Sequence, residues 1–227
     1  MGELRILSRS QEPFRDREES GELLARELAS FRGQNVVVLG IPRGGIVVAR
    51  ELARALEADL DVILSRKLRT PGHEELAMGS VAEDGTLFLN EPIIQKLGIE
   101  KAYIEREKVH QLAEITRRTE LIRRIRPKVH LKGRTVIVTD DGVATGATTQ
   151  AALWAVRLEY PERLIAALPV GPEDIVTRLA KDVDEMICLR TPPLFAAVGQ
   201  FYRYFYPVED EEMFKILQEE FKSGGGA

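Results

Sequence analysis

The chain has 227 residues, 44% of them hydrophobic and 30% charged, a balance that suits one soluble globular core and excludes a fibrous or disordered polymer. With 32 basic against 36 acidic side chains the formal charge is -4, so a nucleic-acid role would need a local basic patch. The single cysteine, Cys188, excludes a disulfide framework and a multi-cysteine metal cluster, and it fits a reducing, cytoplasmic setting.

The opening MGELRILSRSQEPFRDREES carries acids and no long apolar centre. It does not read as a secretory signal, and no later apolar run is long enough to span a bilayer, so no membrane partner is expected. A first helix is predicted from Asp16, with Glu19 three residues on in a capping-box-like pattern and Gly33 as its terminator. NVVVLG, Asn35 to Gly40, is a continuous β-branched run of the kind found in strands buried on both faces. After IPRGG, the Val47, Leu52 and Leu56 region has helical spacing, and LDVILS, Leu60 to Ser65, predicts another buried strand. The order strand, glycine turn, helix, strand is one βαβ unit.

Leu68 to Ser80 breaks this rhythm with Pro71, Gly72 and Gly79, and is expected to be a mobile or ligand-ordered loop. VAEDGTLFLN predicts two short strands around Glu83-Asp84-Gly85. Residues 91–128 form a charged helical insertion with Ile104, Val109, Leu112, Ile115 and Ile122 among ionic neighbours. The alternation then resumes. RTVIVTDD is a strand, ATTQAALWAVRLEY a helix, ERLIAALPV a strand, PEDIVTRLA a helix and DEMICLR a strand. At least five parallel-strand candidates alternating with helices predict a three-layer α/β domain occupying the whole chain. Residues 191–215 concentrate aromatic side chains and are expected to form a hood or cap, and the terminal KSGGGA is expected to fray.

The richest chemical signal is VIVTDDGVATGATT, Val136 to Thr149. An apolar strand delivers Asp140 and Asp141 to its carboxyl end, where open α/β sheets place ligands. Val143, Ala144, Thr145, Gly146, Ala147 and Thr148 then supply small side chains, hydroxyls and backbone donors at a helix N-terminus, which suits a phosphate ester. The two carboxylates suit sugar hydroxyls or a hard cation such as magnesium. Neither the lysine-bearing phosphate loop of nucleotide hydrolases nor the dinucleotide Gly-x-Gly-x-x-Gly pattern is present.

This segment resembles the 5-phosphoribosyl 1-diphosphate motif of type I phosphoribosyltransferases. HEELAMGSVAEDGTLFLN and AVGQFY are further similar to a poorly characterised prokaryotic subgroup of that family. The resemblance implies a phosphoribosyltransferase-like fold with a mostly parallel central sheet, Thr86 to Leu89 being the candidate for a short antiparallel strand within it. It implies that Asp140 and Asp141 face the ribose hydroxyls, directly or through magnesium, and that Ala144 to Thr148 hold the 5'-phosphate. GIPRGG resembles the family's diphosphate loop, with Pro42, Arg43, Gly44 and Gly45 as its members; the resemblance implies a cis peptide at Arg43-Gly44, while Ile41-Pro42 is the chemically cheaper site for one. Arg66 and Lys67 resemble the basic pair that reaches diphosphate. Asp140, Asp141, Arg43 and Lys67 are thus the expected catalytic set. By position, Leu68 to Ser80 matches the family's flexible catalytic loop, with His73, Glu74 and Glu75 as its candidate contacts, while Phe195, Phe201 and Tyr202 are candidates to stack on an acceptor ring.

The implied activity transfers phosphoribose to a nucleobase-like nitrogen with loss of diphosphate, in a homodimer. Two rivals are a phosphosugar-sensing regulator that binds nucleic acid through Arg117, Arg118, Arg123, Arg124, Arg126, Lys128 and Arg134, and a phosphosugar hydrolase or kinase with Asp140 as nucleophile. The first is disfavoured because the cations are intermixed with glutamates, and the second because no phosphate-loop lysine or base accompanies Asp140.

Overall fold

The computed structural model describes residues 2–224. In chain order the elements are β1 (Glu3–Ser8), α1 (Arg17–Glu27), β2 (Val36–Gly40), α2 (Gly45–Leu56), β3 (Asp59–Val62), β4 (Ser65–Thr70), β5 (His73–Ala82), β6 (Leu87–Leu89), α3 (Glu91–Leu97), α4 (Lys101–Ile125), β7 (Thr135–Thr139), α5 (Ala147–Arg157), β8 (Arg163–Val170), α6 (Glu173–Leu179), β9 (Glu185–Arg190) and α7 (Asp210–Gly224). Six strands form one sheet in the order β1-β9-β8-β7-β2-β3, and every pairing in it is parallel.

Alternation along each strand divides the apolar side chains between two cores, because successive Cβ atoms leave opposite faces of a sheet. Val36, Val38, Ile137 and Ile165 face the layer of α1, α2 and α7 through Leu24, Leu52 and Met213. Val37, Leu39, Val136 and Leu164 face α5 and α6 through Leu153 and Val176. All five residues of β2 are buried, which is why that stretch carries no polar side chain. The first helix starts where the sequence places it: the Asp16 side chain accepts from the Glu19 N–H at 2.9 Å.

Three expectations need correction. The segment Leu68 to Ser80 is ordered as most of a β-hairpin, with β4 and β5 paired antiparallel around Pro71-Gly72. Leu68, Met78 and Val81 are buried with Ile94 and Ile104 in a third, smaller core, so the hairpin has the apolar anchors a loop lacks. The antiparallel strand at Leu87–Leu89 pairs with β5 in a separate three-stranded sheet instead of entering the main one. That sheet packs on α5, where the rings of Phe88 and Trp154 stack at 4.4 Å. Third, the segment read as Leu60 to Ser65 is a strand only to Val62, and Ser65 already belongs to β4.

The insertion contains two helices, broken at Gly98, which is left-handed at φ 60° and closes α3. α4 lies against β4, β5 and α7. A buried ionic cluster pins its far end: Arg123 donates to Asp61 at 2.8 Å and to Glu83 at 2.7 Å, with both carboxylate side chains under 10% exposed. No helix among the described residues is long and apolar enough to cross a membrane.

Candidate functional site

β7 ends at Thr139 and releases the acid pair at the carboxyl edge of the sheet. The Asp141 N–H donates to Asp140 Oδ1 at 2.8 Å. Asp141 Oδ2 lies 2.8 Å from Arg17 Nε, with the two side chains only 16% and 11% exposed. Burial, and after it the neighbouring Asp141 charge, holds the Asp140 carboxyl well above the usual carboxylate range, as expected for two carboxylates sharing a partly desolvated place. The Tyr202 hydroxyl donates to the Asp141 carbonyl at 2.5 Å and fixes the backbone beneath the pair.

The following loop turns into α5 at Gly146, whose φ of 79° is left-handed. A Cβ there would press on Ile175 at 2.9 Å and Arg178 at 3.0 Å, so glycine is required twice over. Arg178 of α6 donates to the Thr145 carbonyl and holds the loop from outside. Ala144, Thr145 and Thr148 are exposed, and the N–H groups of Ala144 through Thr148 have no acceptor among the described residues. That row of donors at a helix N-terminus is chemically an anion cradle. Val143 departs from the expectation: it is buried and its N–H donates to the Val170 carbonyl at 2.9 Å, which removes it from the donor set.

The β2–α2 loop runs alongside. The Ile41 N–H donates to the Thr139 carbonyl at 2.9 Å, locking the two strand ends together. The cis peptide falls at Pro42-Arg43, one bond earlier than the family resemblance implies. Gly44 and Gly45 lie directly against the acids. A Cβ on Gly45 would meet Asp140 Cα at 2.8 Å, and one on Gly44 would overlap the Asp141 carboxylate. Arg43 Nη1 is 2.9 Å from Glu209 Oε2, just before α7.

Pro42, Arg66, Lys67 and Thr148 share the lining of one cleft of about 530 Å³. Its opposite wall is α4, contributing Gln111, Glu114, Ile115, Arg117, Arg118 and Leu121. Arg66 Nη2 pairs with Glu114 at 3.2 Å, and Arg118 Nη2 with Asp210 at 3.3 Å. The acid pair and the two glycines form a second contact set that follows Pro42 in the loop but is not among the residues lining the cleft. No group of three or more histidine, cysteine or carboxylate side chains among the described residues is arranged to hold a metal.

Several candidates lie elsewhere. His73 sits at the hairpin tip in a separate cavity of about 350 Å³ with Leu97, Tyr103 and Arg106. Glu74 and Glu75 belong to β5 by backbone, but their side chains fall outside the described residues. Phe201 and Tyr202 are 1% and 6% exposed, and Phe195 stacks on Phe201 at 5.1 Å. These rings belong to the core that holds the α1 side chains, so Phe201 and Tyr202 present no face to an acceptor, and among the described residues no aromatic side chain lines the cleft. The basic stretch is largely paired within the chain: besides Arg123, Arg126 and Arg134 meet Asp59, and Lys128 meets Glu83 and Glu159. Arg17, Glu114, Glu209 and Asp210 are contacts the sequence did not announce. Each comes from an element remote in sequence from its partner, and no spacing signal marks it.

Comparison with known proteins agrees with this geometry. Residues 17–204 match the phosphoribosyl transferase domain family. The chain is 45% identical over 204 residues to two Mycobacterium tuberculosis proteins, Rv0571c of strain H37Rv and MT0597 of strain CDC 1551, both placed by name among phosphoribosyl transferases. Those residues are 90% of this chain and 46% of each relative, so the chain spans about half the length of the curated relatives it matches. The crystal structure of TT1426 from Thermus thermophilus is 45% identical, with a TM-score of 0.87 over 91% of this chain and 98% of that one.

Proposed function

The chain belongs to the phosphoribosyltransferase family, and from that membership we propose that it uses 5-phosphoribosyl 1-diphosphate with magnesium, transferring phosphoribose to a nucleobase-like nitrogen and releasing diphosphate. One observation carries the reading: the loop after β2, the start of α5 and the start of β4, far apart in sequence, meet at one cleft, which Pro42, Arg66, Lys67 and Thr148 all line.

In the reaction the bond from ribose C1 to the diphosphate oxygen breaks, its electron pair leaving with diphosphate. The C1–nitrogen bond forms from the acceptor's lone pair, and the acceptor gives up a proton. Binding falls to the donors of Ala144 through Thr148, which hold the 5'-phosphate at the start of α5. Asp140 and Asp141 accept from the ribose hydroxyls and place negative charge beside C1 as positive character develops there. Arg43, Arg66 and Lys67 neutralise the departing diphosphate. α4 covers the cleft and limits the water that reaches C1.

The acid pair fits magnesium, which takes hard oxygen ligands and commonly uses one or two carboxylates together with substrate oxygens and water. Asp140 and Asp141 would hold it, and the mutual repulsion that burdens Asp140 is of the kind a dication relieves. When bound, the ion would supply charge neutralisation to the diphosphate.

The test is calorimetry with magnesium and 5-phosphoribosyl 1-diphosphate, followed by a panel of free bases with diphosphate release and product mass measured together. A saturable site and a mass-matched nucleotide product are expected. Folded protein that binds no phosphosugar across a broad concentration range would overturn the proposal.

A further inference from the structure

We infer that Arg17 is a positioning residue of the phosphosugar site, acting through Asp141; the inference rests on the phosphoribosyl reading above. Arg17 is the first residue of α1 and comes to the site from outside every motif that defines it. Its guanidinium is constrained on three sides. Nε lies 2.8 Å from Asp141 Oδ2, Nη1 donates to the Tyr206 carbonyl at 2.8 Å, and the guanidinium carbon rests 3.9 Å from the centre of the Phe205 ring. A planar fork used along two edges and one face has a single orientation, which a lysine ammonium cannot reproduce.

Gly44 packs against the same oxygen, since a Cβ there would overlap Oδ2 and come within 3.0 Å of Arg17 Nε. Arg17 and the Gly44 backbone together crowd that one oxygen of Asp141. Oδ2 is committed to Arg17, and Oδ1 is the oxygen left for a sugar hydroxyl. Because both side chains are mostly buried, solvent and salt screen this contact little. α1 is already capped by Asp16 and anchored by Leu24, Ala25 and Leu28, so the ion pair is best explained by what it does to Asp141.

This predicts an effect confined to ligands that carry ribose. Calorimetry in magnesium would use three probes, 5-phosphoribosyl 1-diphosphate, ribose 5-phosphate and inorganic diphosphate, against wild type, Arg17→Ala, Arg17→Lys, Asp141→Asn and the Arg17→Ala/Asp141→Asn pair. Arg17→Ala is expected to weaken the two ribose-bearing probes about 10-fold, the loss of one charge-assisted contact, while diphosphate stays within about 2-fold. Arg17→Lys should recover only part of the loss. In the Asp141→Asn background Arg17→Ala should cost less than about 3-fold, since the residue it acts through is already altered.

If Arg17→Ala binds all three probes as wild type does, the inference fails and the phosphoribosyl reading stands. Equal weakening of all three with a lower melting temperature would assign Arg17 to stability instead, as would multiplicative losses in the double variant. Wild type that binds neither ribose-bearing probe would remove the phosphoribosyl reading and this inference with it. Should Arg17→Ala not fold, Arg17→Lys carries the same three-probe comparison.

Discussion

Gly44→Ala tests how closely the diphosphate loop and the acid pair are fitted. Gly44 has φ -61° and ψ -36°, ordinary right-handed values, so alanine meets no backbone objection and the penalty is one of contact alone. The new methyl would overlap the Asp141 carboxylate, lying 2.7 Å from its Cγ and 3.0 Å from Arg17 Nε. Overpacking of this kind costs about 1–3 kcal/mol, and the reduced freedom of the unfolded chain returns about 0.4–1 kcal/mol. The net loss, up to about 2.6 kcal/mol, lowers Tm by up to about 10 °C in a chain of this length. Relief is available only if the carboxylate swings off Arg17, so affinity for 5-phosphoribosyl 1-diphosphate should fall at least about 10-fold. Gly45→Ala should be harsher in stability, because its methyl meets the Asp140 Cα and the Thr139 carbonyl, which are backbone and cannot swing aside. Differential scanning calorimetry and ligand titration decide the matter. A Gly44→Ala protein with wild-type Tm and wild-type affinity would refute the close fit.

Three further outcomes are expected. Arg123→Ala should destabilise the protein by about 3–5 kcal/mol in urea unfolding, because it strands the buried Asp61 and Glu83 carboxylates without their cation; a loss under about 1 kcal/mol would count against that cluster as the anchor of α4. Glu209→Ala frees Arg43 from a pair whose side chains are 39% and 64% exposed and which is worth at most about 1 kcal/mol. Inorganic diphosphate should accordingly bind up to about 5-fold tighter, and unchanged or weaker binding would argue against Arg43 as a diphosphate contact. Asp140 is raised above its ordinary pKa in the folded state, so its contribution to stability is fully present below about pH 4 and is lost as pH rises through the folded value. In metal-free buffer, the Tm of Asp140→Asn should therefore gain on that of wild type from pH 4 upward, and parallel Tm curves would contradict the buried-acid assignment.

What could be read ahead of the structure was local. β2 and β7 announce themselves because a strand buried on both faces has no room for a polar side chain, and Asp140 to Thr148 are contiguous, so their chemistry is visible in one window. β1 gives no such signal, because at the sheet edge its Leu4 and Ile6 stand among Glu3, Arg5 and Ser8 and form no continuous apolar run. The hairpin reads as a loop because Pro71-Gly72 and the charges of KLRT outweigh the few side chains that anchor it, Leu68 and Met78 among them. The aromatic tail misled for a different reason. A ring suited to stacking on a base is equally suited to a core, and Phe14 pairs with Phe201 through backbone and packing that only the folded chain reveals. Arg17 could not be found from spacing at all, since nothing in its own helix distinguishes it from Arg26.

Three cations in or beside the cleft arrive with counter-ions already attached: Arg43 with Glu209, Arg66 with Glu114, Arg118 with Asp210. An incoming polyanion thus trades places with tethered carboxylates, and fewer dissolved ions are exchanged than on a bare basic surface. Its affinity should vary shallowly with ionic strength. The displaced carboxylates stay on the same chain at high local concentration and compete again as soon as the anion loosens. A site wired in this way would behave as an ion exchanger biased towards letting go, which suits the proposed transfer, in which the diphosphate that leaves is the more highly charged half of the substrate.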